Sequence, residues 1–235
     1  MSGVTLRPVS AQNQAVTRAI RHLVRPRLEA AGFQDFTGRQ AWRREGDRVD
    51  VVDFQAVGAY SSVGVGCTPF SFGVFTGVRY AECEERWSGS SAHEHRPHYS
   101  ACTVTVILGK LLRQPGAFRP WGRRPGEDRV DTWAVLEDAS NADEVVEDAA
   151  ETLVATGLPV LAEFGSPERA YAALLSRFEP EPSHGVPGVQ TGAPGSPRWT
   201  HTVGCLAARL GRDAGRDIAA ASVLRTPAHR RLSPG

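Results

Sequence analysis

The sequence has 235 residues, of which 41% are hydrophobic, and its formal net charge is +1. This length and composition favour one main domain with a buried core plus an appendage. So small a net charge excludes an overall field that would attract nucleic acid or anionic lipid. The N-terminal residues lack the apolar segment of a signal peptide, and no run reaches the ~18 apolar residues of a membrane span. We therefore expect a cytoplasmic protein with no membrane partner.

The chain has four cysteines, Cys67, Cys83, Cys102 and Cys205. Their spacing contains no Cys-x-x-Cys pair, and their density is below that of a disulfide scaffold. We expect each of them to be a reduced, buried and small apolar residue.

The first predicted element is a helix from Gln12 to Ala31. Its apolar residues recur at intervals of three and four and form one stripe: Val16, Ile20, Leu23, Val24 and Leu28. Pro26 removes an amide donor and disfavours the helical conformation of the residue before it, so we expect a kink near Val24. Gly32 accepts the left-handed conformation that is common just past helix ends, and we expect it to terminate the helix.

The next stretch predicts three antiparallel strands, at residues 33–44, 48–56 and 70–80. The second strand has apolar residues on both faces, which is typical of a central, well-covered strand. A glycine-rich loop at 57–68 connects it to the third strand. In that third strand Gly73 and Gly77 share a face, and they leave room for another segment to lie close against it.

The rest of the chain predicts two more strands and several helices. The strands are expected at 101–108 and 132–136. A helix begins near Ser140 or Asn141 and ends at Gly157 and Pro159, and another begins at Ser166-Pro167. The fold class is therefore α+β, an antiparallel sheet of about five strands packed by an N-terminal helix and two later helices, with a short helical C-terminal extension.

Four regions follow from these patterns. A main domain covers 1–178, a Pro/Gly-rich linker 179–199, a short helical extension 200–225 and a disordered tail 226–235. The two helices of the extension are too short to be stable alone, so we expect them to dock on the main domain or on a partner.

A histidine-rich loop is the most visible cluster of chemically active side chains. His93, His95 and His98 fall within six residues, with Cys83 and Glu94 nearby, and imidazole is the commonest neutral metal ligand. His93 and His95 point to opposite sides of an extended segment, and no recognised spacing completes the ligand set. A solvated polar loop is therefore favoured over a metal site, and we assign no metal, no cofactor and no catalytic residue.

A second loop combines arginine with aromatic residues, at Phe118, Arg119, Trp121, Arg123 and Arg124. Single-stranded nucleic acid is bound by this mixture of stacking surface and charge. A single loop of this kind more often packs an aromatic side chain beneath an exposed turn, so nucleic acid is not the expected partner.

Five side chains on the predicted sheet are candidates for binding: Arg39, Trp42, Arg43, Asp53 and Gln55. In the structural interpretation, Arg43 or Arg39 pairs with Asp53 of the neighbouring strand, and Gln55 satisfies backbone groups near the loop. In the functional interpretation, the same residues line a recognition surface for a ligand or a partner.

The order of these sequence features resembles that of a bacterial family known as domain-of-unknown-function family 4304. The matching segments span about residues 14 to 177 and comprise PRLEAAGF, GRQAWRR, the strand ending at Phe54-Gln55, FSFGV, GLPVL and SPERAYAALL. The resemblance implies an α+β fold with helices packed on an antiparallel sheet. It implies no activity, because the family has none assigned.

The leading functional prediction is a non-enzymatic interaction or ligand-binding domain, such as an immunity-type or accessory protein that binds another protein. This prediction is based on two features of the sequence. Its hydrophobic content is sufficient for a substantial core, and it contains no recognised catalytic pattern of residues. Two alternatives stay open. One is a metal-assisted hydrolase that uses His93, His95 and His98, and the other is a nucleic-acid accessory protein that uses the loop at 119–124.

Overall fold

A computed structural model describes residues 11–81, 83, 95–112, 118, 131–176, 189–190 and 197–224. It has an α+β fold, as predicted, in which an antiparallel sheet carries helices on one face. The strands are β1 (Asp35–Phe36), β2 (Gln40–Glu45), β3 (Arg48–Ala56), β4 (Phe72–Tyr80), β5 (Val104–Ile107) and β6 (Val189–Gln190). The helices are α1 (Ala11–Ala19), α2 (Arg25–Ala30), α3 (Gly58–Val65), α4 (Ala142–Thr152), α5 (Leu158–Glu163), α6 (Pro167–Ser176), α7 (Pro197–Arg209) and α8 (Ala214–Leu224).

The six strands follow one another in the sheet in sequence order, and every neighbouring pair is antiparallel. In β3, which is central, Val52 and Phe54 point to the helices, and Val51 and Asp53 point to the opposite face because side chains alternate along a strand. We call these the helix face and the second face. This division of β3 and of β4 confirms the alternation predicted from the sequence.

The main core lies between the helix face and the helices. Its largest fully buried members include Phe54, Phe72, Tyr80, Trp133 and Tyr171. The apolar stripes predicted for the N-terminal helix and for α4 both contribute, since Val16, Val24 and Leu28 pack into the same cluster as Val145, Val146 and Ala149. Burial of these stripes explains why short helices are stable here.

Two helices contain a widened π-helical turn two residues before a proline. Residues Ile20–Val24 form such a turn between α1 and α2, and Leu153–Gly157 form one between α4 and α5. Pro26 and Pro159 have no amide hydrogen, so the regular hydrogen-bond ladder cannot continue through them. The irregularity predicted near Val24 is confirmed. The helix expected to stop at Gly157 instead continues to Glu163.

Three further strand and loop boundaries differ from the predictions. The stretch 33–44 is divided by a turn into β1 and β2, since the Thr37 amide donates to the Gln40 carbonyl and the Thr37 hydroxyl accepts from the Gln40 amide. The glycine-rich loop at 57–68 contains α3. Residues 132–136 form only one bridge, between Trp133 and Phe72, instead of a fifth strand.

The C-terminal helices dock on the main domain. Trp199, Val203 and Leu206 of α7 are buried in the main core, and the Tyr171 hydroxyl of α6 donates to the Asp217 carboxylate of α8 at 2.9 Å. Docking on the main domain, one of the two predicted outcomes, is therefore confirmed. No helix in the described part of the chain is both long and apolar enough to cross a bilayer.

Candidate functional site

A small, half-open cleft with a cavity volume of about 20 Å³ lies between the N-terminal helical segment and the turn that joins β1 to β2. Its apolar walls come from both layers, because α2 and the π-helical turn approach the edge of the sheet here. The described lining residues are Ile20, Arg21, Val24, Arg25, Leu28, Phe36, Thr37, Gly38, Arg39, Gln40, Ala41, Val52 and Phe54. We call this the N-terminal cleft.

Two local features shape the N-terminal cleft. The widened turn at Ile20–Val24 places Ile20, Arg21 and Val24 in its lining, and such turns often occur at functional sites. A Cβ atom added at Gly38 would lie 2.9 Å from Thr17 Cγ2. Glycine therefore lets the β1–β2 turn approach α1 closely, so the cleft is narrow at this end.

Arg39 brings a guanidinium into this largely apolar site. Its Nε donates to Thr17 Oγ1 at 3.3 Å, its Nη1 lies 3.5 Å from the Phe54 carbonyl, and its Nη2 donates to Asn13 Oδ1. All three acceptors are neutral. Burial lowers the pKa of Arg39, and the Asp53 carboxylate on the other face of the sheet opposes that shift. The group stays charged, because arginine is not deprotonated in proteins.

The rim of the N-terminal cleft is also cationic. Arg21 is exposed and forms no ion pair with any described residue, whereas Arg25 pairs with Glu29 at 2.8 Å and lies over the Phe36 ring, 4.7 Å from its centroid. None of the described lining residues is acidic. The cleft therefore joins an apolar interior to a positive potential.

Arg43 does not pair with Asp53, as one prediction had it, but with Asp50. The register of β2 and β3 sets Arg43 opposite Asp50 and Gln40 opposite Asp53. Asp50 is 1% exposed and accepts from Arg43 Nη2 at 2.6 Å and from Arg48 Nη2 at 2.7 Å. Arg43 also donates to the Ala31 carbonyl at 2.7 Å, and Arg48 donates to the Gly165 carbonyl. This ion cluster fastens the sheet to the helices and is structural.

A short segment, residues 95–102, lies across the second face, and we call it the covering segment. Trp42 Nε1 donates to the Pro97 carbonyl at 2.9 Å, and the Tyr99 ring stacks on Phe75 with centroids 4.2 Å apart. A Cβ atom added at Gly77 would lie 2.7 Å from Cys102 Sγ. The predicted close approach to the glycine face is confirmed at Gly77, and Trp42 has a packing role.

Asp53 lies beneath the covering segment, on the face opposite to Arg39. It is 4% exposed, and its Oδ2 accepts from Gln40 Nε2 at 2.8 Å and lies 3.4 Å from His98 Nε2. Burial raises the pKa of Asp53, while Gln40, His98 and Arg39 act in the opposite direction. The predicted pairing of Arg39 with Asp53 is wrong, because the two side chains are on different faces of the sheet.

His98 links Asp53 to Ser100. Its Nδ1 is 2.8 Å from Ser100 Oγ and accepts from the Ser100 amide, so Nε2 carries the proton that faces Asp53. The next two amides, of Ala101 and Cys102, already donate to the His98 and Tyr99 carbonyls. They leave no donor there for an oxyanion. The arrangement therefore positions the covering segment.

The remaining candidate residues have less defined positions. Gln55 is exposed and its side chain hydrogen-bonds to Tyr99. His93, Glu94 and residues 119–124 lie outside the described residues, whereas Phe118 packs on the core. His95 is exposed. The described residues contain no group of three or more metal-ligating side chains.

None of the four cysteines forms a disulfide with another described residue. Cys83 and Cys102 are buried as predicted, whereas Cys67 and Cys205 are only half-buried. Cys205 contacts His201 on the same helix, with 3.5 Å between Sγ and Nε2.

Comparisons with protein-family models, with curated proteins and with solved structures give no match. The resemblance to domain-of-unknown-function family 4304 therefore stays a prediction.

The sequence predicts Arg39 as a binding residue, but it does not predict the cleft around it. Ile20 and Val24 looked like ordinary members of a core stripe, and Arg21 like a solvated helical residue. The available signal was Pro26, which predicts an irregular turn where these three residues lie. Pro26 does not indicate that the β1–β2 turn lies against this helix, which the structure shows.

Proposed function

We propose that this chain is a non-enzymatic ligand-binding domain whose small-molecule ligand occupies the N-terminal cleft. The observation that carries the proposal is the cleft itself, a concave site with an apolar floor and few polar groups. Small-molecule sites usually have this composition, and the cavity volume of about 20 Å³ means that this cleft would enclose only part of a ligand.

The second face supports a binding role over a catalytic one. The covering segment uses its polar groups to hold itself in place, through Trp42, Asp53 and Thr105. The hydrolase and nucleic-acid alternatives depend on His93 and on residues 119–124, which lie outside the described residues, and both stay predictions.

The test is a titration followed by methyl NMR, with Ile, Leu and Val methyl groups labelled and with octan-1-ol and octanoate as probes. Saturable shifts are expected at Ile20, Val24 and Leu28, which line the cleft. Leu174 and Leu206 lie in α6 and α7 and serve as internal controls. No saturable shift with either probe, or shifts spread equally to the control methyls, would overturn the proposal.

A further inference from the structure

We infer that the ligand of the N-terminal cleft is a small monocarboxylate with an apolar body, whose carboxylate is bound by Arg39. This inference rests on the proposed function, because it names the chemical class of the ligand for the same cleft. It depends on the hydrogen-bond partners of Arg39, on the charges around it and on the apolar floor.

The Arg39 guanidinium has more N–H donors than its described hydrogen bonds use. Arginine has five N–H groups, and the contacts to Thr17, Phe54 and Asn13 use three of them. Two N–H groups are therefore without a protein acceptor among the described residues. A planar guanidinium with free donors matches the two oxygens of a carboxylate.

The charge of Arg39 also lacks a direct partner. Its hydrogen-bond acceptors are neutral, no described residue that lines the cleft is acidic, and Asp53 lies on the other face. By contrast, Arg43 and Arg48 share the buried Asp50. A half-buried cation is costly unless an anion compensates it, and a ligand carboxylate would supply that anion.

The floor of the cleft determines the rest of the ligand. The accessible apolar surface beside Arg39 comes from the half-buried Phe36 and from Ile20, which is 6% exposed, above a buried layer of Val24, Leu28, Val52 and Phe54. An alkyl or aryl body fits this surface because its transfer from water is favourable. Arg39 is the only half-buried arginine among the described lining residues, whereas Arg21 and Arg25 are exposed at the rim, so the single charge of a carboxylate matches the interior better than a phosphate dianion does.

The experiment compares octanoate, octan-1-ol, octylamine and octyl phosphate by isothermal titration calorimetry at neutral pH. In the wild-type protein, octanoate is expected to bind on the order of tenfold more tightly than octan-1-ol, and octylamine more weakly than either. In Arg39→Met the preference for octanoate over octan-1-ol should disappear while octan-1-ol affinity is retained. Arg18→Met, in α1 and outside the cleft lining, is the matched control and should keep the wild-type preference.

The outcomes separate the two proposals. Equal affinity of octanoate and octan-1-ol in the wild type would overturn the carboxylate inference and leave the ligand-binding function intact. Tighter binding of octyl phosphate than of octanoate would also overturn the carboxylate assignment. Absence of binding by all four compounds would overturn both. If Arg39→Met does not fold, the affinities of the wild-type protein still test the inference. They should decrease from octanoate to octan-1-ol to octylamine, and any other order would overturn it.

Discussion

His98 Nε2 lies 3.4 Å from Asp53 Oδ2, so the covering segment contacts a carboxylate that is buried beneath it. Burial raises the pKa of Asp53 above its usual 3.8, and the folded state therefore holds this proton more tightly than the unfolded state does. Protonation of Asp53 therefore stabilises the folded protein. This stabilisation is complete below about pH 3.8 and is lost as the pH rises through the pKa of Asp53 in the folded state.

Asp53→Asn cannot ionise, and its amide oxygen can still accept from Gln40 and His98. We expect it to be more stable than the wild type at pH 7, by an amount that shrinks as the pH falls to 4. Urea unfolding at several pH values measures this difference. Asp143→Asn, on the exposed side of α4, controls for the loss of one negative charge, and a difference that does not change with pH would contradict the account.

Asp50→Ala is expected to cost about 3–5 kcal/mol of unfolding free energy, because it leaves the arginines of the ion cluster without their shared carboxylate. Chemical denaturation measures the loss. Glu29→Ala removes the exposed pair with Arg25 and should cost only about 0.3–0.5 kcal/mol. Similar losses for the two variants would show that the ion cluster does not fasten the sheet to the helices.

Gly77→Ala is expected to destabilise the protein, since its Cβ would meet Cys102 Sγ at 2.7 Å and Cys102 Cβ at 2.8 Å. The cost should fall in a Cys102→Gly background, with a coupling energy of about 0.5–3 kcal/mol in a double-mutant cycle. Gly64→Ala is the control, because an added Cβ there meets nothing within 4 Å. Additive effects of the Gly77 and Cys102 substitutions would rule out the close contact.

Arg21→Glu is expected to weaken octanoate binding several-fold, or about 1 kcal/mol, at low salt, because it reverses a charge at the rim of the cleft. Arg18→Glu makes the same charge change on α1, outside the cleft lining, and should have a smaller effect. Calorimetric titration compares the two variants. Equal losses would mean that only the net charge of the protein matters.

The sequence predicted the layout of the sheet because side-chain alternation is local information. The alternation of apolar residues in β3 and the glycines of β4 both indicate which residues share a face, and the structure agrees. The register of β2 and β3 is set by the turn at Gly46 and Asp47, which places Glu45 opposite Arg48 and therefore Arg43 opposite Asp50. The prediction that Arg43 or Arg39 pairs with Asp53 did not apply this register and failed for that reason.

The cleft could not be derived from sequence because it lies between two segments, the N-terminal helical segment and the β1–β2 turn. Their approach depends on tertiary packing, such as the close contact of Gly38 with Thr17. A helix in the glycine-rich stretch 58–65 was missed because residues such as Gly58 and Gly64 disfavour helices intrinsically.

The most direct test of the central claim observes Arg39 itself. In uniformly ¹⁵N-labelled protein, octanoate should shift the Arg39 Nε–Hε resonance with the same saturation curve as the Val24 and Leu28 methyl groups. Octan-1-ol should shift the methyl groups alone, and Arg43, whose Nε donates to Asp50, should shift with neither ligand. An Arg39 resonance that does not move while octanoate saturates the methyl shifts would contradict the claim that this arginine binds the carboxylate.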